Sequence, residues 1–432
     1  MTADTATPSA AIRAVSWKAL AAYSLSRVVP VAVIFAATPV LIGLIGTTSY
    51  GLYTTITALV LIAESLGVGW LRQSALRGAG DPRQAMHLLP RWSIASAVNG
   101  PAALVAVLLV LVGGALGGAD DPVVLVTATA LCCATGFYMV RVTRVQRDLQ
   151  TGRVIAIEWV RAIVGLLASV AVHATLLDGA PAALAGMAIG NLAGALAAGR
   201  GTVATSRART GARANALLRA YWSYGWPMSL WLAASYGLLY VDRLLLSTWL
   251  GPEAAGLYGA VADIVIRGYL FIATPISMAV HPLVMAAWNR GRPDQAVRTL
   301  VAYQRILALS MLAATVAMVA VGPWLIPIVV GVPAPSVAVL VFLGLGSAIW
   351  QYSLLTQKRL EMAGRSRTVL SLMGAAALVT TVVDMVLIPM VGPLGAAVGL
   401  AAGAAAYQAG CLRLGRKAVG DYRGGAVNSS VS

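Results

Sequence analysis

LIGLIGTTSYGLY (residues 41–53) and LSTWLGPEAAGLY (residues 246–258) align at an offset of 205 residues. Leu41/Leu246, Gly46/Gly251, Gly51/Gly256, Leu52/Leu257 and Tyr53/Tyr258 coincide. Each copy is a short turn between two long apolar runs. Each joins the first and second runs of a group of six. An even number of crossings per group gives both groups the same orientation. The repeat therefore predicts a symmetry axis along the membrane normal.

The runs on either side of these turns fix the class of the chain. The 432 residues are 59% hydrophobic and 11% charged, with a mean hydropathy of +0.82. A soluble domain has roughly 45–50% apolar and about 25% charged residues. This composition excludes a soluble multidomain enzyme, a disordered chain and a nucleic-acid binder. A helix spans about 30 Å of hydrocarbon with roughly 20 apolar residues. Twelve runs meet that length, the first at 19–45 and the last at 393–412. The expected fold is an all-α integral membrane protein of twelve transmembrane helices in two six-helix bundles. The expected organisation is a cytoplasmic tail (1–18), a first bundle (19–199), a basic linker (200–221), a second bundle (222–412) and a cytoplasmic tail (413–432). The segment PWLIPIVVGVPAP (323–335) is apolar but rich in proline, and reads as an interfacial stretch.

The formal net charge of +16 is spent on orientation. With the N-terminus in the cytoplasm, all but five of the 31 Lys and Arg residues fall in cytoplasmic segments. The outer loops hold only Asp120, Asp121, Asp178 and Glu253. That asymmetry is a strong positive-inside signal. Basic residues scattered over seven short segments suit anionic lipid better than nucleic acid.

The five exceptions, Arg27, Arg161, Arg243, Arg267 and Arg305, lie inside apolar runs together with several carboxylates. Intramembrane charges are costly and mark function by default. Asp242, Asp263 and Asp384 fall roughly 10 Å below the outer boundary, with Arg267 nearer the midplane. Asp263 and Arg267 are four apart, share a helix face and can pair. Asp242 and Arg243 point about 100° apart and need other partners. Arg27 and Glu64 fall at matching depth in neighbouring runs, which makes a pair plausible. Glu158, Arg161 and Arg305 lie close enough to the inner boundary to snorkel, and a structural role suits them.

No catalytic constellation accompanies these charges. His87, His173 and His281 are far apart, and there is no Walker loop or G-x-S-x-G. No cofactor or metal is expected. Cys132, Cys133 and Cys411 read as apolar filler. Pro30, Pro39, Pro227 and Pro275 interrupt runs at positions where a membrane helix kinks. Tyr221, Trp222, Tyr224 and Trp226 read as an aromatic belt at the inner interface. Trp231, Tyr236 and Tyr240 lie deeper and are placed to stack on a sugar or a prenyl chain.

The segment YGWPMSLWLAASYGLLYVDRLLLSTWLGPEAAGLYGAVADIVIRGYLFIATPISMAVHPLV (224–284) resembles the start of the C-terminal half of polysaccharide repeat-unit flippases. These belong to the superfamily of multidrug, oligosaccharidyl-lipid and polysaccharide exporters. The matching elements are Asp242–Arg243, Leu250–Gly251, Gly256–Leu257–Tyr258 and the Pro275–Pro282 region. Arg27, the Gly46–Tyr53 turn and Pro389–Ala397 extend the likeness over nearly the whole chain. The resemblance implies a MATE-like V of two bundles around a central cavity. It implies alternating access carrying polyprenyl-pyrophosphate-linked oligosaccharide across the cytoplasmic membrane. It also implies cationic cavity residues on the pyrophosphate, with an ion gradient or the membrane potential as a driving force.

Carried onto this sequence, the substrate-binding candidates are Arg27, Arg243, Arg267 and Arg305. The coupling or ion-pair candidates are Glu64, Asp242, Asp263 and Asp384. Expected partners are the lipid-linked oligosaccharide, membrane lipids, and a polysaccharide polymerase and glycosyltransferases. Twelve crossings, without the two extra helices of lipid II flippases, turn the expectation away from peptidoglycan. Two other readings compete. An ion-coupled multidrug or small-solute antiporter of the same fold would be poorly served by buried arginines. A membrane glycosyltransferase would need a charged outer loop, and 323–335 has no charge.

Overall fold

The computed structural model describes residues 17–77, 89–148, 150–199 and 212–429, with side chains from residue 35 to 420. The described residues contain helices and no strand. In hydrocarbon a backbone must satisfy its own hydrogen bonds, and an apolar chain does so by coiling into helices. Helix α1 spans Trp17–Gly67, α2 Gly69–Arg77, α3 Arg91–Val112, α4 Pro122–Arg147, α5 Thr151–Thr175 and α6 Gly179–Ala197. Then follow α7 (Ala212–Leu250), α8 (Pro252–Asn289), α9 (Pro293–Val330), α10 (Val337–Thr356), α11 (Lys358–Met362), α12 (Ser366–Val391) and α13 (Pro393–Ser429). Ten helices among the described residues are long and apolar enough to cross a membrane.

The repeat read from the sequence is visible in the backbone. Gly46 breaks α1 into two arms with φ 76° and ψ 165°. Its counterpart Gly251 joins α7 to α8 with φ 87° and ψ 164°. Only glycine enters that region without a steric cost. Packing repeats as well. The pairs α3–α4, α4–α6 and α5–α6 in the first half correspond to α9–α10, α10–α13 and α12–α13 in the second. Small residues let these backbones approach: Gly186 seats against Ser169, and Gly403 against Thr380.

Two seams join the halves. At the glycine-turn end, a methyl added to Gly51 would stand 1.7 Å from the Pro252 carbonyl oxygen. One added to Gly256 would stand 2.0 Å from the Thr47 carbonyl oxygen. Gly51 matches Gly256 in the repeat, and Thr47 matches Pro252. The seam is thus reciprocal, as a two-fold contact must be. At the opposite, basic end, α2 packs on α7. Ser74 donates to the Tyr221 carbonyl (2.7 Å) and Ser229 to the Ser65 carbonyl (2.8 Å). Gly225 admits the Trp70 carbonyl between the helices.

Two expectations are corrected. The stretch around Pro323 and Pro327 is no interfacial break: α9 runs helically to Val330 and ends on Gly331 in the left-handed region. Neighbouring contacts tolerate the lost backbone bonds. Tyr221 is not a belt residue, because it is 1% exposed beneath α2.

The reciprocal seam makes a prediction. Gly51→Val and Gly256→Val each drive a side chain into backbone, costing about 1–3 kcal/mol and lowering the melting temperature. Gly43, with open space around it, tolerates alanine unchanged. A Gly51→Val protein melting like the parent would contradict the seam.

Candidate functional site

Asp263 of α8 is the hub of the buried charges. It is 5% exposed, accepts two hydrogen bonds and meets a third group as an ion pair. Arg243 of α7 donates to Oδ1 at 2.6 Å, and the Tyr50 hydroxyl of α1 donates to Oδ2 at 3.0 Å. Arg267, one turn along α8, approaches Oδ2 at 3.4 Å. The expected Asp263–Arg267 pair therefore exists, and Arg243 finds the partner its spacing demanded. Arg243 is itself 3% exposed, with its guanidinium carbon 4.6 Å above the Tyr240 ring. It is taken up by this tie.

Arg267 differs. Its side chain is 37% exposed and lines a cavity of about 160 Å³ between the halves. Arg161 of α5 lines the same cavity from the other half. Tyr50, Tyr53, Thr38 and Ser169 complete its polar wall. Arg161 is anchored as Arg267 is. Its Nε donates to Glu158 at 3.1 Å, and Glu158 also accepts from the Tyr138 hydroxyl at 2.5 Å. Each cavity guanidinium thus sits within one turn of a carboxylate shared with a tyrosine. Held this way it keeps its charge and has donors left for an anion.

The remaining candidates separate. Arg305 is exposed on α9, away from this cavity. The side chain of Arg27 lies outside the described residues. Glu64 is buried, and its Oε1 accepts from the Cys132 thiol at 3.1 Å. Its Oε2 has no hydrogen-bond partner among the described residues. Cys132 therefore does more than fill space. Asp242 accepts the Arg243 backbone N–H at 2.8 Å. Asp384, fully buried on α12, has neither oxygen hydrogen-bonded among the described residues. It lies in a notch left by Gly399 of α13, within electrostatic range of Asp242. The Tyr258 hydroxyl faces Asp242 without completing a hydrogen bond.

The deep aromatics also part company. Trp231 donates to Tyr407 at 3.3 Å inside the second half. Tyr240 lies under Arg243. Tyr236 lines a small cavity at the basic end with Glu64 and Arg72. Sequence reading missed Tyr50 and Tyr138. Both announce themselves only through the carboxylates that the fold brings to them.

Two like bundles meeting at a polar cavity define a MATE-like multi-pass membrane protein. The fold matches an inward-facing multidrug resistance MATE family transporter of the MOP superfamily with a TM-score of 0.72, over 93% of this chain and 99% of that one, at 14% identity. It matches the lipid II flippase MurJ in an inward closed conformation with a TM-score of 0.67, over 91% and 86%, at 12% identity. It matches a MOP superfamily transporter from Pyrococcus furiosus, described as having a binding pocket of reverse polarity, with a TM-score of 0.64, over 93% and 96%, at 15% identity. At such identities the likeness establishes the fold alone. The profile of the polysaccharide biosynthesis protein family matches residues 16–288, and the chain belongs to that family. No curated protein matches the chain.

The hub carries a stability prediction. Asp263→Leu leaves Arg243 buried without its carboxylate, at a cost of about 3–5 kcal/mol. Adding Arg243→Leu removes the stranded charge and recovers much of that loss, read by chemical unfolding of the single and double variants. A double variant no more stable than Asp263→Leu alone would refute the tie.

Proposed function

We propose that this protein is a flippase that carries polyprenyl-pyrophosphate-linked oligosaccharide repeat units across the cytoplasmic membrane for surface polysaccharide synthesis. The observation that carries the reading is the cavity shared by Arg161 and Arg267. Two guanidinium groups from opposite halves converge on one hollow, each already oriented by its own carboxylate. A diphosphate offers the bidentate acceptors that such groups recognise. A cationic drug would meet two positive charges there, which disfavours the antiporter reading. Membership of the polysaccharide biosynthesis family supports the lipid-linked saccharide as cargo.

Topology follows the same reading. The two arms of α1 make two crossings, and α7, with Asp242 and Arg243 inside it, makes one that its charges obscure. Together with α3–α6, α8–α10, α12 and α13 they give twelve, six to a half, with both termini cytoplasmic. The domain limits are those expected from sequence, and the polymerase and glycosyltransferases are partners on either side of the membrane. A cavity of about 160 Å³ suits a diphosphate and not an oligosaccharide. An apolar cavity of about 150 Å³ holds only benzene. Loading therefore requires the halves to part at the basic end, where α7 meets the end of α1 and α2 through two serine bonds.

The coupling step belongs to Asp242 and Asp384. Neighbouring carboxylates in an apolar interior, with the nearest guanidinium committed to Asp263, require a positive charge beside them, a proton or a metal cation. Glu64 supplies a third such group in the first half. Binding there and at the cavity bias the same pair of halves, which is what links one transport event to the other.

Reconstituted vesicles with a fluorescent polyprenyl-diphosphate oligosaccharide test the proposal. Losing one charge-assisted contact of about 1.5–3 kcal/mol slows translocation roughly ten- to a hundredfold in Arg161→Ala and in Arg267→Ala. Arg305→Ala flips at the parental rate. If both cavity variants flip normally while Asp384→Asn abolishes cation-coupled drug efflux, the protein is an antiporter instead.

A further inference from the structure

A second hollow, of about 570 Å³, opens on the flank of the molecule. Its walls come from the end of α1, from α2 and α3, and from the start of α7, so both halves contribute. Arg219, Trp92 and Trp222 stand at its basic-end mouth, and its far end reaches Leu104. From Trp92 to Leu104 the helix rises roughly 18 Å, a little more than one leaflet of hydrocarbon. Between those limits the wall is almost wholly apolar. Trp92 is 63% exposed, so nothing in the described residues covers it. Trp222 stacks on Trp226 at 4.9 Å and meets Trp70 edge-on at 5.2 Å, which makes the seam side of the groove a rigid aromatic wall.

That wall has a second face. The α1–α2 segment that bounds the groove also presents Glu64 and Arg72 to the small polar cavity shared with Tyr236. The apolar groove and this small hollow are both walled by the α1–α2 segment where it meets α7. The seam is held by the Ser74 and Ser229 hydrogen bonds.

We propose that this groove is the docking site for the prenyl chain of the lipid-linked cargo while its diphosphate enters between the halves. The inference rests on the flippase reading and extends it to the hydrophobic half of the substrate. The polarity matches: a guanidinium at the leaflet surface for the phosphate, and an apolar trough for the chain. The location matches too. A molecule whose head passes inside while its tail stays in lipid must straddle a seam. A bulk phospholipid has no reason to sit on one. The α2–α7 contact is then the lateral gate of the cytoplasmic leaflet.

The test uses the full chain in lipid nanodiscs, titrated with a long-chain polyprenyl phosphate and, separately, with dioleoyl phosphatidic acid. The two share a phosphate monoester and differ in their chains. Gly100 lies on the groove with open space at its Cβ position, and Ser96 is exposed on the same wall. Gly100→Trp and Ser96→Trp fill the trough. Loss of two methylenes' worth of burial weakens polyprenyl phosphate about tenfold, with phosphatidic acid unchanged. Benzoylphenylalanine at Ser96 crosslinks to polyprenyl phosphate on illumination, and only unlabelled polyprenyl phosphate competes. This second readout does not depend on a bulky residue being accommodated. An equal loss for both lipids makes the groove a general lipid crevice and overturns the proposal. So does undiminished polyprenyl binding in both variants with no crosslink. A parent protein that binds no polyprenyl phosphate and flips no lipid-linked saccharide defeats the flippase reading itself. A parent that flips normally while the groove variants bind prenyl lipid normally defeats only the groove.

Discussion

A carboxylate buried among apolar helices must be matched by donors, and Asp263 takes its donors from three places at once. Arg243 reaches it from α7, Tyr50 from α1 in the other half, and Arg267 from one turn away on its own helix. Removing the carboxylate would strand a guanidinium that is almost fully enclosed. The three helices around it are therefore fixed relative to one another by electrostatics as much as by packing. The same hub sorts the arginines. Arg243 satisfies Asp263 at short range, so Arg267 is held only at 3.4 Å and keeps its face toward the cavity. Glu158 and Tyr138 do for Arg161 what Asp263 and Tyr50 do for Arg267. Structural charge and cavity-facing charge are thus neighbours, and the first orients the second.

The second constraint is the reciprocal glycine seam. Gly51 and Gly256 bring backbone against backbone where the halves touch, and no side chain fits there. The contact is related to itself by a pseudo-two-fold axis. The basic end is held by different means, by serine hydroxyls donating to carbonyls between α7 and the α1–α2 segment. Hydrogen bonds of this kind contribute about 1 kcal/mol each and can break and reform. The close-packed glycine seam and the lighter serine-bonded one differ, and the second is the easier to part.

Much of this was legible in the residues. The alignment of Gly46 with Gly251 reads a backbone requirement directly, because a positive φ selects glycine. The i, i+4 spacing of Asp263 and Arg267 reads a shared helix face. What failed were inferences about long-range neighbours. The Arg161–Glu158 pair that the three-residue spacing offers is present, but the spacing does not show what Arg161 meets beyond it. Packing of α5 on α1 brings it to the cavity that Arg267 also lines. Arg243 looked like a cavity residue, because nothing in the local sequence announces that Asp263, twenty residues away, will consume it. The prolines of α9 looked like a break, because the sequence does not display the neighbours that let the helix continue. Trp231 sits on the aromatic face of α7 but finds Tyr407, 176 residues on.

The central claim is that Arg161 and Arg267 jointly grip a diphosphate between the two halves. An electron cryomicroscopy map of the protein with a polyprenyl diphosphate tests it most directly. The account predicts phosphate density within about 3 Å of both guanidinium groups. Density seated only on surface arginines of the basic end, with the central cavity empty of phosphate, would contradict it.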